Sequence, residues 1–158
     1  MADPVRVLAW NAGEDPDLAA PPEWLVANGL GGYASGTVTG VVTRRYHGLL
    51  IAALPVPIGR MVMLDGLTEM LTLPDGHKVR IGADQVGEEG RVADAGHLNE
   101  FRLELGLPVW RFDVDGIVVE RRLVMLHDQN TILLVWRLVE GTAPVRLSLR
   151  PFLHVRAI

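Results

Sequence analysis

The sequence predicts an all-β domain, an antiparallel β-sandwich. Three observations carry that expectation. Period-two alternation recurs along the chain, most clearly at Val109–Val114 and Val145–Arg150, which puts apolar and polar side chains on opposite faces of a strand. Turn signals separate the runs, including Asp75-Gly76 and Asp115-Gly116. No segment sustains the 3.6-residue period of an amphipathic helix.

Taken in order, Val5–Trp10 reads as a first strand. Asn11–Pro22, with three prolines, Gly13 and three acids, reads as a loop. Glu23–Ala27 and Gly36–Thr43 are expected to be strands flanking a glycine turn, Asn28-Gly29-Leu30-Gly31-Gly32-Tyr33. Tyr46–Leu54 is the next strand, and Pro55-Val56-Pro57 ends it because proline cannot donate to a ladder. Arg60–Asp65 and Leu67–Pro74 are short strands. Asp75-Gly76 reads as a two-residue primed turn into His77–Ile81. Gly82–Gly96, acidic and glycine-rich, is expected to be an exposed loop. Val109–Val114 places Trp110, Phe112 and Val114 on one face; Asp115-Gly116 turns the chain into Ile117–Leu126. Thr131–Val139 is apolar on both faces apart from Arg137, the pattern of a central strand covered on each side. Strand patterning persists through Leu147–Val155 to Ile158, which fits either a domain that ends on an edge strand or a fragment of a longer polypeptide. A fragment, which the family resemblance described below favours, would keep an unpaired edge and an uncovered apolar face, and a dimer or larger oligomer is then expected.

Composition narrows the function. The 158 residues are one domain's worth, and 49% hydrophobic with 22% charged residues is ordinary for a globular protein. A net charge of −4 argues against a general nucleic-acid binder. With no cysteine there is no disulfide scaffold, thiolate nucleophile or zinc–thiolate site. No apolar run reaches the ~20 residues of a membrane helix, and Met1–Arg6 lacks the basic-then-apolar pattern of a signal peptide. A cytoplasmic protein without membrane or cofactor is expected.

The stretch from Glu23 to Ala53 is the best candidate site. Gly29-x-Gly31-x-x-Ala34 fits a permissive dinucleotide fingerprint, but β-branched Thr37–Thr43 follows where a helix is needed, and no acid appears before Asp65. That motif is rejected. Ser35 has Tyr33, not glycine, two positions before it, so it is not a nucleophile elbow. No catalytic carboxylate pair is evident: Asp113 and Asp115 belong to a hairpin, and Glu120 and Asp128 have no partner. His97 with Glu100, or His127 with Glu120, could be drawn as an acid/base pair, though nothing selects them. The five histidines show no metal-ligand spacing.

What remains is Asn28, Arg44, Arg45, Tyr46 and His47, planar multi-donor groups beside aromatic rings, the types that fix sugar hydroxyls and stack on sugar rings. Gly29, Gly31 and Gly32 are the structural turn that sets their approach. No carboxylate lies between Glu23 and Asp65 to neutralise the two arginines. Alternation would put Arg45 and His47 on one face, Arg44 and Tyr46 on the other. A ligand or domain-interface role stands beside a plainer one, in which one arginine pairs with a buried carboxylate and His47 is a satisfied semi-core residue.

The run from Trp24 to Leu50, Trp-Leu-x-x-Asn-Gly-Leu-Gly-Gly-Tyr-Ala-Ser-Gly-Thr then Thr-Arg-Arg-Tyr-His-Gly-Leu-Leu, resembles the N-terminal domain of bacterial and archaeal type glycogen debranching enzymes (amylo-α-1,6-glucosidases). Asn99-Glu100-Phe101-Arg102, Trp110-Arg111-Phe112, Asp115-Gly116, Gln129-Asn130-Thr131 and Val145–Phe152 extend the resemblance to most of the chain. It implies a supersandwich-like domain spanning 1–158 that precedes an α/α-toroid. The toroid, absent from this chain, would carry the catalytic carboxylates that hydrolyse α-1,6 branch points. The implied partners are an α-glucan, glycogen or maltodextrin, and that catalytic domain. A free-standing carbohydrate-binding module is the rival, which a coding region running on into a helical toroid would exclude.

Overall fold

The computed structural model describes residues 6–9, 22–82 and 97–158. Among the described residues thirteen strands run in order: β1 (Arg6–Ala9), β2 (Glu23–Ala27), β3 (Tyr33–Thr37), β4 (Gly48–Ala53), β5 (Arg60–Leu64), β6 (Gly66–Thr72), β7 (Lys78–Ile81), β8 (Leu98–Glu104), β9 (Leu107–Val114), β10 (Ile117–Met125), β11 (Ile132–Glu140), β12 (Arg146–Phe152) and β13 (Arg156–Ala157). They form three sheets, all antiparallel: A (β1-β8-β9-β10-β11), B (β13-β5-β4-β3-β2) and C (β12-β6-β7). The predicted all-β, sandwich-like class is the observed one. The expected loops over 11–21 and 83–96 lie outside the described residues.

One core joins the three sheets. Trp24 and Ala34 come from B, Leu71 and Ile81 from C, and Phe101, Trp110, Phe112, Val119 and Leu123 from A. Full burial of such side chains contributes about 1.5–3 kcal/mol each. Trp110 is its hub: its ring meets Trp24 edge-on at 5.2 Å and Phe101 at 5.4 Å. Its indole N–H donates to the Val38 carbonyl at 2.8 Å, so sheet A holds the loop that leaves β3. Sheet C is tied to A by a buried ion pair. Arg121 Nη1 meets Glu69 Oε2 at 2.6 Å, Trp136 Nε1 donates to Glu69 Oε1 at 2.5 Å, and the guanidinium lies 4.0 Å over Trp110.

Four expectations change. The strand placed at Gly36–Thr43 is β3, Tyr33–Thr37, because the chain turns where Gly40 N–H bonds the Thr37 carbonyl, with Gly40 at φ +91°. The strand placed at Tyr46–Leu54 begins at Gly48, since Arg44–His47 is a turn closed by His47 N–H on the Arg44 carbonyl at 3.0 Å. Asp75-Gly76 is not a two-residue primed turn. Only Gly76 has positive φ, Leu73 and His77 close a three-residue loop, and Asp75 Oδ1 accepts from His77 N–H. Asp115-Gly116 does make the primed turn, at φ 51° and 79°. So does Leu105-Gly106 at 52° and 80°, which no Asn/Asp-Gly signal announces. Finally, β11 is not central: it is the last strand of sheet A, with Leu133, Val135, Leu138 and Val139 exposed.

Candidate functional site

The glycine turn is built around one side chain. Asn28 is fully buried between β2 and β3, and four bonds take up its amide. Its Oδ1 accepts from Leu30 N–H and Gly32 N–H, both at 2.9 Å. Its Nδ2 donates to the Gln129 carbonyl at 2.9 Å and to Asn130 Oδ1 at 3.2 Å. Asn130 in turn clips β4, accepting from Ala53 N–H and donating to the Ala53 carbonyl. The glycines fit this crowding. Gly29 and Gly31 lie at φ +86° and +92°, while a Cβ on Gly32 would stand 2.6 Å from Asn28 Nδ2. The turn therefore joins sheet B to the loop after β10, and Asn28 is the pin.

The basic cluster lies at the opposite end of β3. Five strand residues separate the two, about 15 Å at ~3.3 Å per residue. The structure thus groups Arg44, Arg45, Tyr46 and His47 and sets Asn28 apart. Their loop is anchored at its start, where Val38 N–H bonds the Pro22 carbonyl and Thr37 Oγ1 donates to the Val41 carbonyl. At its end, Ser35 Oγ and the Tyr33 hydroxyl both donate to the Tyr46 carbonyl, at 3.2 and 3.4 Å.

Glu23 organises the cluster: it is the acid of the plainer reading, in which one arginine pairs with a carboxylate, though that reading named no residue and the carboxylate is partly exposed rather than buried. Its Oε1 takes Arg44 Nε at 2.5 Å, and its Oε2 stands 3.7 Å from His47 Nε2. The Arg44 hydrogen bond holds the Glu23 carboxyl below the usual carboxylate range, and that same bond raises the guanidinium. The β2–β3 pairing brings it there: Glu23 sits opposite Thr37, where the loop begins. His47 is buried, with Nδ1 accepting from Thr43 N–H at 3.4 Å, which leaves the neutral ring's proton on Nε2. Burial lowers its pKa, against the pull of Glu23. Because the four residues form a turn rather than a strand, alternation fails. Arg44, Arg45 and Tyr46 are exposed and His47 alone turns inward. Arg44 stacks 5.9 Å over Tyr46, whose ring meets His47 edge-on at 5.5 Å. Arg45 makes no hydrogen bond or ion pair with another described residue.

Behind the loop lies a cavity of about 40 Å³ lined by Trp24, Thr37, His47, Asp65, Glu69 and Arg121. It has room for ordered water and not for a hexose ring. A sugar contact here must be made on the loop's outer surface.

The acid/base pairs drawn from sequence do not form. Glu100 and Glu120 both bind Arg102, each at 2.6 Å. Burial alone would push the Glu120 carboxyl up, but Arg102 and Arg122 bring it below its ordinary value. His127 is exposed beside its own neighbour Asp128, and Asp113 accepts from Gly116 N–H within the hairpin. Among the described residues no three His, Asp or Glu cluster as metal ligands.

Comparison with known proteins gives one match. No curated protein and no solved structure is found to match the chain. The family model described as glycogen debranching enzyme N terminal covers residues 22–158, the glycine turn, the basic loop and the strands that support them. The chain belongs to the glycogen debranching enzyme N-terminal family.

Proposed function

We propose that this domain is the non-catalytic N-terminal part of a glycogen debranching enzyme, packing against the catalytic domain and touching the α-glucan through Arg45 and Tyr46. The observation that carries the reading is the contrast within the basic loop. Arg44 is neutralised by Glu23 and His47 is buried, so both hold the loop in shape. Arg45 and Tyr46 stand exposed at its tip with the Tyr46 backbone fixed from behind. A five-donor guanidinium beside an aromatic ring on a rigid loop suits a sugar's hydroxyls and its apolar face. Ordering this loop for a ligand costs little entropy, because the fold has already set it.

The non-catalytic part of the reading has its own support. Glycoside hydrolysis needs one carboxyl kept protonated opposite a second that is ionised. Glu23, Glu104 and Glu120 are instead shifted toward the ionised form by arginines. Glu69 and Glu100 are likewise bound to arginine. The branch-point hydrolysis of the full-length enzyme then falls to carboxylates of the catalytic domain.

The test is calorimetric titration of the chain with a branched α-glucan oligosaccharide, using a β-linked glucan as control. Selective heat that Arg45→Ala abolishes is the expected result. No heat from a folded sample overturns the glucan contact and leaves the loop a packing surface.

A further inference from the structure

Four buried side-chain atoms find no hydrogen-bond partner among the described residues: His47 Nε2, Asp65 Oδ1, Arg121 Nε and Arg156 Nη1. Three of them belong to residues that line one space, the cavity of about 40 Å³ behind the basic loop. The fourth is close by, since Arg156 Nη2 stands 3.6 Å from Asp65 Oδ1. Native folds leave few buried polar atoms unmet, so this concentration at one cavity calls for an occupant.

Each atom is left over for a reason. His47 spends Nδ1 on Thr43 N–H, so its proton is on Nε2, and Glu23 Oε2 at 3.7 Å is too far to accept it. Arg121 gives Nη1 to Glu69 and lays its guanidinium over Trp110, which leaves Nε unused. Asp65 lies between β5 and β6, where its backbone N–H bonds the Phe152 carbonyl, and Arg156 is beyond hydrogen-bonding distance of Oδ1. The other polar side chains of the wall are satisfied within the protein. The Trp24 and Trp110 N–H groups donate to the Thr37 and Val38 carbonyls. The Thr37 and Ser35 hydroxyls donate to the Val41 and Tyr46 carbonyls, and Glu69 holds Arg121 and Trp136.

The chemistry of the three atoms selects what fills the space. Two are N–H donors and one is a carboxylate oxygen, so the occupant must both accept and donate. An anion would face Asp65 and Glu69, and a cation would face Arg121. A sugar ring does not fit. Water offers both kinds of bond, and at ~10–15 Å³ each about two or three molecules fit.

We propose that this cavity is a built water site, in which about two or three ordered waters accept from His47 Nε2 and Arg121 Nε and donate to Asp65 Oδ1. Its wall draws on all three sheets, with Trp24 and Ser35 from B, Glu69 from C, and Trp110 and Arg121 from A. The waters link the buried side of the basic loop to the ion pair that joins A and C. Through His47, the loop that carries Arg45 and Tyr46 is held from behind by water.

A crystal structure of the full chain, at a resolution that orders bound water, tests this together with a bromide soak. Water should lie about 2.7–3.2 Å from each of the three atoms, and no bromide should enter. In solution, oxygen-17 relaxation dispersion should count these waters as long-lived. His47→Leu removes the Nε2 donor and should lower that count by at least one. Leu25→Ser, at an exposed position on β2, should leave it unchanged. The wild-type crystals decide the question even where His47→Leu fails to fold. A cavity closed by direct bonds among the three groups overturns the proposal, and so does a bromide peak, which would make this an anion site. A count of long-lived waters that His47→Leu leaves intact overturns it as well.

Discussion

Replacing Asn28 by alanine should unfold the junction between the glycine turn and the loop after β10. The substitution removes four hydrogen bonds from a fully buried amide: two accepted at 2.9 Å from Leu30 and Gly32, two donated to Gln129 and Asn130. A hydrogen bond contributes a net ~0.5–1.5 kcal/mol, so the four contribute roughly 2–6 kcal/mol together. Gly32 N–H is also buried and loses its acceptor, which puts the cost near 4 kcal/mol, a large share of the ~5–15 kcal/mol by which a domain is stable. At about 2–4 °C per kcal/mol for a chain of this length, Tm should fall by roughly 8–16 °C. Urea unfolding should show the lowered midpoint with an unchanged slope, marking lost stability rather than a changed denatured state. Asn28→Asp keeps both accepted bonds but sets an anion against the Gln129 carbonyl and Asn130 Oδ1. It should be no better at neutral pH and should recover partly on acidification. A loss below about 1 kcal/mol for Asn28→Ala would refute the claim that this side chain pins the turn.

Two further predictions concern charge. Glu69→Gln leaves the buried Arg121 guanidinium without its counter-charge and should cost ~3–5 kcal/mol in urea melts, whereas Glu69→Gln combined with Arg121→Met should recover much of that, because the net worth of a buried pair is small. For His47 the folded pKa is lowered by burial, so the unfolded chain binds the proton more readily. Its contribution to stability is complete above the unfolded value of 6.5 and falls as pH drops below it, levelling off beneath the folded value. Urea midpoints measured between pH 7.5 and 5 should therefore decline in the wild type and flatten in His47→Gln. The carboxylates held down by arginine, Glu23, Glu104 and Glu120, titrate in a separate window near and below 4.5.

Much of this architecture is set by local rules that a sequence displays. Period-two alternation at Val109–Val114 depends on the pleat alone, and it correctly faced Trp110, Phe112 and Val114 inward. Asp115-Gly116 needs only its own backbone to make a primed turn. Tertiary structure decided whatever depends on what stands opposite. Leu105 takes positive φ because the β8–β9 register demands a two-residue turn there, against its own preference. Which acid pairs with which arginine could not be named, because the acid of Arg44 lies 21 positions away and arrives by β2–β3 pairing. Asn28 looked like a ligand donor because nothing local shows that residues 129 and 130, a hundred positions on, fill its bonds. An apolar strand such as β11 reveals how much surface it can bury, and only the assembled sheet shows that it stands at an edge among the described residues. Pleat, turn and family motif act over a few residues and are written in the chain. Burial, pairing and charge compensation are relations between distant residues, and those exist only once the chain has folded.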